Sequence, residues 1–164
     1  MLDLGKPVEH YNFARSSLPS ILEESISNFK TANSERQISC CLSSDELNIW
    51  GDPARLQQVF INLLRNAAQH SPENKDITIK VNPHYEQNKV SIEVIDRGSG
   101  IDSEILPHIF EPFYTTRQEG SGLGLGIVKR LTHLHGGDVS LQNNQNGPGC
   151  TATVILPLLK EEKS

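Results

Sequence analysis

The sequence has little that would tie it to nucleic acid, to a bilayer or to an oxidising compartment. Lysine and arginine number 15 against 20 aspartates and glutamates, a formal charge of -5, so the basic surface that would release counterions from a nucleic-acid backbone is missing. No apolar run approaches the roughly 20 residues needed to span a bilayer, and the N-terminus has no signal-peptide core. The stretch is therefore expected to be cytoplasmic, without direct membrane contact. Cys40, Cys41 and Cys150 are odd in number and lack C-x-x-C spacing, which argues against a closed disulfide framework and against a zinc site. Aromatic residues make up only 5%, with the single tryptophan Trp50. What is present is 164 residues, 36% of them apolar, enough for one domain with a core of its own.

Periodicity along the chain gives an alternation of helices and strands. The first dozen residues carry Gly5 and Pro7 and no sustained period, so residues 1–14 read as a linker from an upstream domain. Leu18, Ile21, Leu22, Ser25, Ile26 and Phe29 recur at three- and four-residue spacing and predict an amphipathic helix. Extended pieces follow at 37–42 and 47–50. Asp52-Pro53 is a helix start, a carboxylate able to cap free N–H groups followed by proline at the first helical position. That helix runs to about His70 and stops at Ser71-Pro72, with Leu56, Val59, Phe60, Leu63, Leu64 and Ala67 as its core stripe. A hairpin over 77–81 and 90–95, a helix over 123–135 ended by Gly136-Gly137, and strands over 138–142 and 151–156 complete the pattern. Such an order indicates an α+β sandwich, with helices on one face of a largely antiparallel sheet. Residues 159–164 form a charged tail.

Three segments carry candidate chemistry. Asn62 and Asn66 lie four residues apart within the second helix, with Gln69 and His70 continuing their stripe, so four polar groups share one face. A carboxamide oxygen is a suitable ligand for Mg²⁺, although a polar stripe is also normal on a solvated helix face. Asp96-Arg-Gly98-Ser-Gly100-Ile101 follows a strand. A carboxylate there can accept from the exocyclic amine of adenine but not pair with the carbonyl of guanine, while the glycines let the backbone approach the base. Gly120-Ser121-Gly122-Leu123-Gly124-Leu125-Gly126 opens the third helix, whose free N–H groups suit phosphate oxygens. Between the last two segments, Phe110, Phe113 and Tyr114 sit in a long irregular stretch that reads as a lid, and Arg117 offers a guanidinium for a terminal phosphate.

The three segments in this order resemble the catalytic, ATP-binding domain of two-component sensor histidine kinases, within the GHKL superfamily. Asn62-Leu-Leu-Arg-Asn66-Ala67 matches the N box, Asp96 to Ile101 the first G box, Phe110-Glu-Pro-Phe113 the F box and Gly120 to Gly126 the second G box. The likeness covers about residues 15 to 158. It implies the Bergerat fold, a two-layer α/β sandwich with about three helices on one face of a mixed sheet and a mobile ATP lid.

By the same resemblance Asn62, Asn66 and Arg117 are the catalytic set, and Asn66 holds Mg²⁺. ATP would meet Asn66, His70, Asp96, Gly98, Gly100, Ile101, Thr116, Arg117, Gly120, Ser121, Gly122, Leu123, Gly124, Leu125 and Thr151. Two positions depart from the pattern: Gln69 stands where lysine is frequent, and Gly126 where serine is frequent. Relatives that hydrolyse ATP carry a water-activating glutamate where this chain has Asn62, and a carboxamide cannot act as a general base. The expected activity is thus transfer of the γ-phosphoryl group of Mg-ATP to a histidine. None of the six histidines is followed by the acidic residue and downstream proline that mark the family's phosphoacceptor helix. The expected partners are consequently a separate dimeric helical-hairpin domain bearing that histidine and a response regulator receiver domain, with the isolated domain monomeric. The other reading is an ATP-binding regulatory module without catalysis.

Overall fold

The computed structural model describes residues 10–42, 46–111 and 123–160. Seven strands and three α-helices follow one another as β1 (Ala14–Ser17), α1 (Leu18–Ala32), β2 (Ile38–Cys41), β3 (Asn48–Gly51), α2 (Pro53–Gln69), β4 (Ile77–His84), β5 (Lys89–Ile95), α3 (Leu123–Leu134), β6 (Asp138–Asn143) and β7 (Cys150–Pro157). Five strands form one sheet in the order β2-β4-β5-β7-β6. Only the β2–β4 pair is parallel, and the other three pairs are antiparallel. The helices pack with α2 between α1 and α3, so the expected two-layer sandwich of three helices on a mixed, mostly antiparallel sheet is what the chain adopts. No helix among the described residues is long and apolar enough to cross a membrane.

Strand alternation and helix periodicity meet in one core. Ile77 and Ile79 of β4, Val90, Ile92 and Val94 of β5, and Ala152, Val154 and Leu156 of β7 turn inward, two residues apart as the pleat requires. Against them lies the α2 stripe of Leu56, Val59, Phe60, Leu63, Leu64 and Ala67, every member buried. The α1 stripe includes Ser25, a polar residue at 0% exposure, whose hydroxyl donates to the carbonyl of Ile21 at 2.7 Å. Such a bond back to the preceding turn lets serine occupy an apolar face without an unpaired group.

Two elements differ from expectation. The β4–β5 hairpin extends through Pro83 to the pair His84–Lys89, because Asn88 takes a left-handed conformation (φ 53°) that closes the short 3₁₀ turn Tyr85–Gln87. The strand β1 was not expected, since Ala-Arg-Ser-Ser offers no apolar alternation. It pairs antiparallel with β3 in a separate two-stranded sheet.

The approach to β1 is tied down at one junction. Asp52 caps α2, its Oδ1 accepting from the N–H groups of Ala54 (3.1 Å) and Arg55 (3.4 Å), while Oδ2 accepts from Asn12 N–H at 2.9 Å. The backbone N–H of Asp52 donates to Nε2 of buried His135 at 3.1 Å, and Nδ1 of that ring lies 2.7 Å from the carbonyl of Leu131. These partners define the neutral tautomer with the proton on Nδ1. Phe13 stacks on the same ring at 4.8 Å. Residues 12 and 13 are thereby joined to the start of α2 and the end of α3. Replacing Asp52 with alanine removes the cap and the bond to Asn12 together. Urea unfolding of Asp52→Ala is expected to show a loss of about 2 kcal/mol, with Asp52→Asn, which keeps the capping oxygen, recovering more than half.

Candidate functional site

Helix α2 presents the two asparagines as the spacing requires. Asn62 and Asn66 are half-buried beside the core stripe, one turn apart on one face. Neither carboxamide has a hydrogen-bond partner among the described residues. The helix contains no aspartate or glutamate. Gln69 is exposed, and half-buried His70 closes the helix through its N–H to the carbonyl of Asn66 at 3.2 Å.

The turn after α2 is fixed by a residue that sequence patterning gave no reason to single out. Arg36, only 8% exposed, donates from its guanidinium to the carbonyls of Ala68, Ser71, Pro72 and Lys75. Carbonyls at a helix C-terminus carry the negative end of the helix dipole, so a cation placed there satisfies both charge and orphan acceptors. An arginine in a polar connection before a short strand has no periodic signature.

Asp96 stands at the end of β5 and is 3% exposed. Its Oδ1 accepts from Gly98 N–H at 2.9 Å and from Cys150 N–H at 3.1 Å. Its own N–H donates to the carbonyl of Cys150 at 2.9 Å. The buried carboxylate thus ties its own turn to the start of β7, and Oδ2 accepts no hydrogen bond among the described residues. Gly98 packs so closely on the end of α2 that a Cβ there would overlap the His70 carbonyl oxygen. This contact brings the Asp96 loop against the asparagine helix, 28 residues away in sequence. Gly100 has φ +85°, and a Cβ on it would stand 2.9 Å from Asn143 Oδ1. Ile101 is half-buried against the core.

At the start of β7 the structure places Thr151 and Cys150 on opposite faces of the sheet. Pairing of Thr151 with Ile95 and Gln142 puts it on the sheet face away from the helices, and its hydroxyl donates to Asn144 Oδ1 at 2.6 Å. The side chain that turns to the helix face beside Asp96 is Cys150, 2% exposed. Burial first, and then the neighbouring Asp96 carboxylate, push its thiol up to about 11, against a smaller lowering by the Ile101 N–H.

Helix α3 begins at Leu123, with Gly124 and half-buried Leu125 in its first turn. A Cβ on Gly124 would meet nothing within 4 Å, and first-turn N–H groups have no acceptor within the helix. The expected ligands Thr116, Arg117, Gly120, Ser121 and Gly122, and the aromatics Phe113 and Tyr114, lie outside the described residues, as does the side chain of Leu123. Phe110 is described: Lys129 of α3 holds its ammonium 5.7 Å from the ring centroid, a cation–π distance.

Taken together, two carboxamides without a hydrogen-bond partner among the described residues, a buried acid at a strand end, tight glycine contacts and a glycine-bearing helix start stand in one α+β sandwich. The class is narrowed by comparison. The model of the family described as histidine kinase-, DNA gyrase B-, and HSP90-like ATPase matches residues 51–160, and the chain belongs to that family, whose ATPase character implies ATP as the ligand. Among curated relatives, the signal transduction histidine-protein kinase AtoS of Escherichia coli is 33% identical over 96% of this chain and 26% of its own length. The sensor histidine kinase ZraS of Escherichia coli is 32% identical over 96% of this chain and 34% of its own length. The chain thus spans about a quarter to a third of these relatives. Among solved structures, the catalytic domain of histidine kinase ThkA superposes with a TM-score of 0.77 at 31% identity, covering 89% of this chain and 95% of that one. The Mycobacterial sensor histidine kinase MprB shares the fold at a TM-score of 0.81 and 23% identity, over 90% and 98% of the two chains.

Gly98→Ala forces a methyl group into the His70 carbonyl, and equilibrium unfolding is expected to show a loss of about 3 kcal/mol. Cysteine reactivity gives an independent check on Cys150. A thiol with a pKa of about 11 is thiolate to about one part in a thousand at pH 8. Labelling by an aromatic disulfide at that pH is expected to modify exposed Cys41 first and Cys150 last, by tenfold or more in rate, with the difference abolished in urea. Because the folded value is raised, this thiol contributes stability that is complete below its ordinary 9.0 and lost as pH climbs towards about 11. The melting temperature of the chain is therefore expected to fall across that window more steeply than that of Cys150→Ser.

Proposed function

We propose that this domain binds Mg-ATP and transfers its γ-phosphoryl group to a histidine on a separate, dimeric phosphoacceptor domain, from which the phosphoryl group passes to the receiver domain of a response regulator. The observation that carries the reading is the asparagine face of α2: two carboxamides without a hydrogen-bond partner among the described residues, on a helix with no carboxylate, against which the Asp96 loop is packed. A carboxamide at position 62 cannot take a proton from water near neutral pH. Hydrolysis by the route that uses a glutamate there is accordingly disfavoured, and transfer to a nucleophile supplied by another domain is favoured.

Each residue has a role within its chemistry. Asp96 Oδ2 accepts from the exocyclic amine of adenine, and Oδ1 is kept from that task by Gly98 and Cys150. Gly98, Gly100 and Ile101 form the loop along the base, with the Cys150 side chain beside Asp96. Asn66 offers a hard oxygen ligand to Mg²⁺, and Asn62 lies along the phosphates. Bound Mg²⁺ supplies charge neutralisation on the phosphate oxygens. The first-turn N–H groups of α3 hold phosphate oxygens, Arg117 approaches the γ-phosphate, and His70 flanks the nucleotide. Phosphoryl transfer needs positioning and charge stabilisation more than covalent chemistry from the protein, which suits this set. Residues 1–14 are read as the linker from the acceptor domain, and the domain works on the cytoplasmic side as a monomer docked on that dimer.

Calorimetric titration is expected to show Mg²⁺-dependent ATP binding that rejects GTP. Asp96→Asn can place an amide N–H where Oδ2 faces the adenine amine, and a loss of tenfold to a hundredfold in affinity is expected, about 1.5–3 kcal/mol. Mixing with an acceptor domain is then expected to give acid-labile, base-stable phosphate on that domain. ATP binding without any such transfer to cognate acceptors would establish the regulatory-module reading instead.

A further inference from the structure

The backbone ladder of the sheet ends where the Asp96 loop begins. Ile95 pairs with Thr151, the Asp96 N–H makes one more bond to the Cys150 carbonyl, and from there the chain leaves the sheet. What holds the rest of the loop is a pair of adjacent side chains at the end of β6, to which neither the sequence pattern nor the family resemblance assigned a task.

Asn143 grips one end of the loop. Its Oδ1 accepts from Ile101 N–H at 2.7 Å, and its Nδ2 donates to the Ile101 carbonyl at 2.7 Å, so one carboxamide satisfies both backbone groups of one residue as a neighbouring strand would. The same Oδ1 accepts from the Cys150 thiol at 3.1 Å. Asn144 grips the other end. Its Nδ2 donates to the Asp96 carbonyl and to the Pro148 carbonyl, both at 3.0 Å, and its Oδ1 accepts the Thr151 hydroxyl. Gly100 is matched to this arrangement, since a Cβ on it would stand 2.9 Å from Asn143 Oδ1. Asn143 is the last residue of β6 and Asn144 follows directly after it, and the two neighbours reach the two ends of one loop.

We infer that Asn143 and Asn144 are positioning residues for base recognition: they hold the loop from Asp96 to Ile101 in the geometry that selects adenine, without touching the nucleotide themselves. The inference rests on the adenine reading of Asp96 proposed above. Recognition by a single carboxylate depends on its placement and on that of the backbone beside the base to within a fraction of an ångström. Asn143 is exposed, so removing its carboxamide takes from the buried interior only the weak hydrogen bond of the Cys150 thiol. The loop loses its fastening while the fold keeps its packing.

The test is calorimetry of ATP and GTP on the 164-residue chain, in the parent, in Asn143→Ala, Asn143→Asp and Asn144→Ala, and in Gln142→Ala as a neighbouring exposed control on β6. Asn143→Asp keeps the acceptor for Ile101 N–H and sets a carboxylate oxygen against the Ile101 carbonyl. Each asparagine variant is expected to bind ATP about tenfold more weakly, the loss of one to two hydrogen bonds' worth of fixation, and to discriminate less against GTP. The control is expected to match the parent, and nucleotide-free melting temperatures are expected to stay close to it in all four. Amide exchange at Gly98 and Ile101 is expected to quicken in the asparagine variants, a readout that needs no nucleotide. Parent-like ATP affinity and selectivity in Asn143→Ala and Asn144→Ala would overturn the inference and leave the adenine reading standing. A parent that binds no nucleotide would overturn both.

Discussion

The site depends on a carboxylate kept almost entirely from water. Burying an ionised group is costly unless hydrogen bonds replace its hydration, and Asp96 obtains them from the N–H groups of Gly98 and Cys150. Both donors are backbone groups, so the acid is satisfied only if its own turn and the first residue of β7 adopt the positions observed. The requirement propagates outward. Gly98 can make that turn only by packing on the end of α2, and the packing admits no side chain. The end of α2 is in turn held by the guanidinium of Arg36 across four carbonyls. One buried charge therefore specifies the contact among the sheet end, the loop and the asparagine helix.

The same contact explains the neighbourhood of Cys150. A thiol is small enough to lie beside the acid and neutral enough to remain there, because desolvation and the adjacent negative charge both oppose its ionisation. A second ionisable carboxyl in that place would set two negative charges in one pocket. The thiol supplies instead a weak donor to Asn143, adding to the fastening of the loop without competing for Asp96.

Much of the fold was legible because its signals are periodic or local. The α2 stripe from Leu56 to Ala67 repeats at helical spacing, and Asp52-Pro53 marks its start by a mechanism that the cap geometry bears out. The alternation in β4, β5 and β7 is equally local. What escaped the sequence depends on partners distant along the chain. Strand β1 has no apolar period and exists because β3 offers it an edge. Arg36, Asn143 and Asn144 are polar residues in polar surroundings, and each acquires meaning only when the fold brings backbone carbonyls and N–H groups to it. Thr151 and Cys150 are one residue apart, and a motif match does not choose between the two faces of a strand. Register does. The expected ligands Thr116, Arg117, Gly120, Ser121 and Gly122 rest on the motif alone.

Helix α2 emerges as the fixed reference of the site because it is anchored at both ends by unlike means. At its N-terminus Asp52 binds the segment that enters the domain, through Asn12, and the end of α3, through His135. At its C-terminus Arg36 and Gly98 fasten it to the connection before β2 and to the Asp96 loop. Its six buried apolar residues fill the space between α1, α3 and the sheet. A helix held in this way cannot rotate by even a fraction of a turn without breaking a cap, a guanidinium clamp or the core. That rigidity suits the proposed chemistry, which is done by placement and would call for two carboxamides in fixed positions rather than assembled on demand.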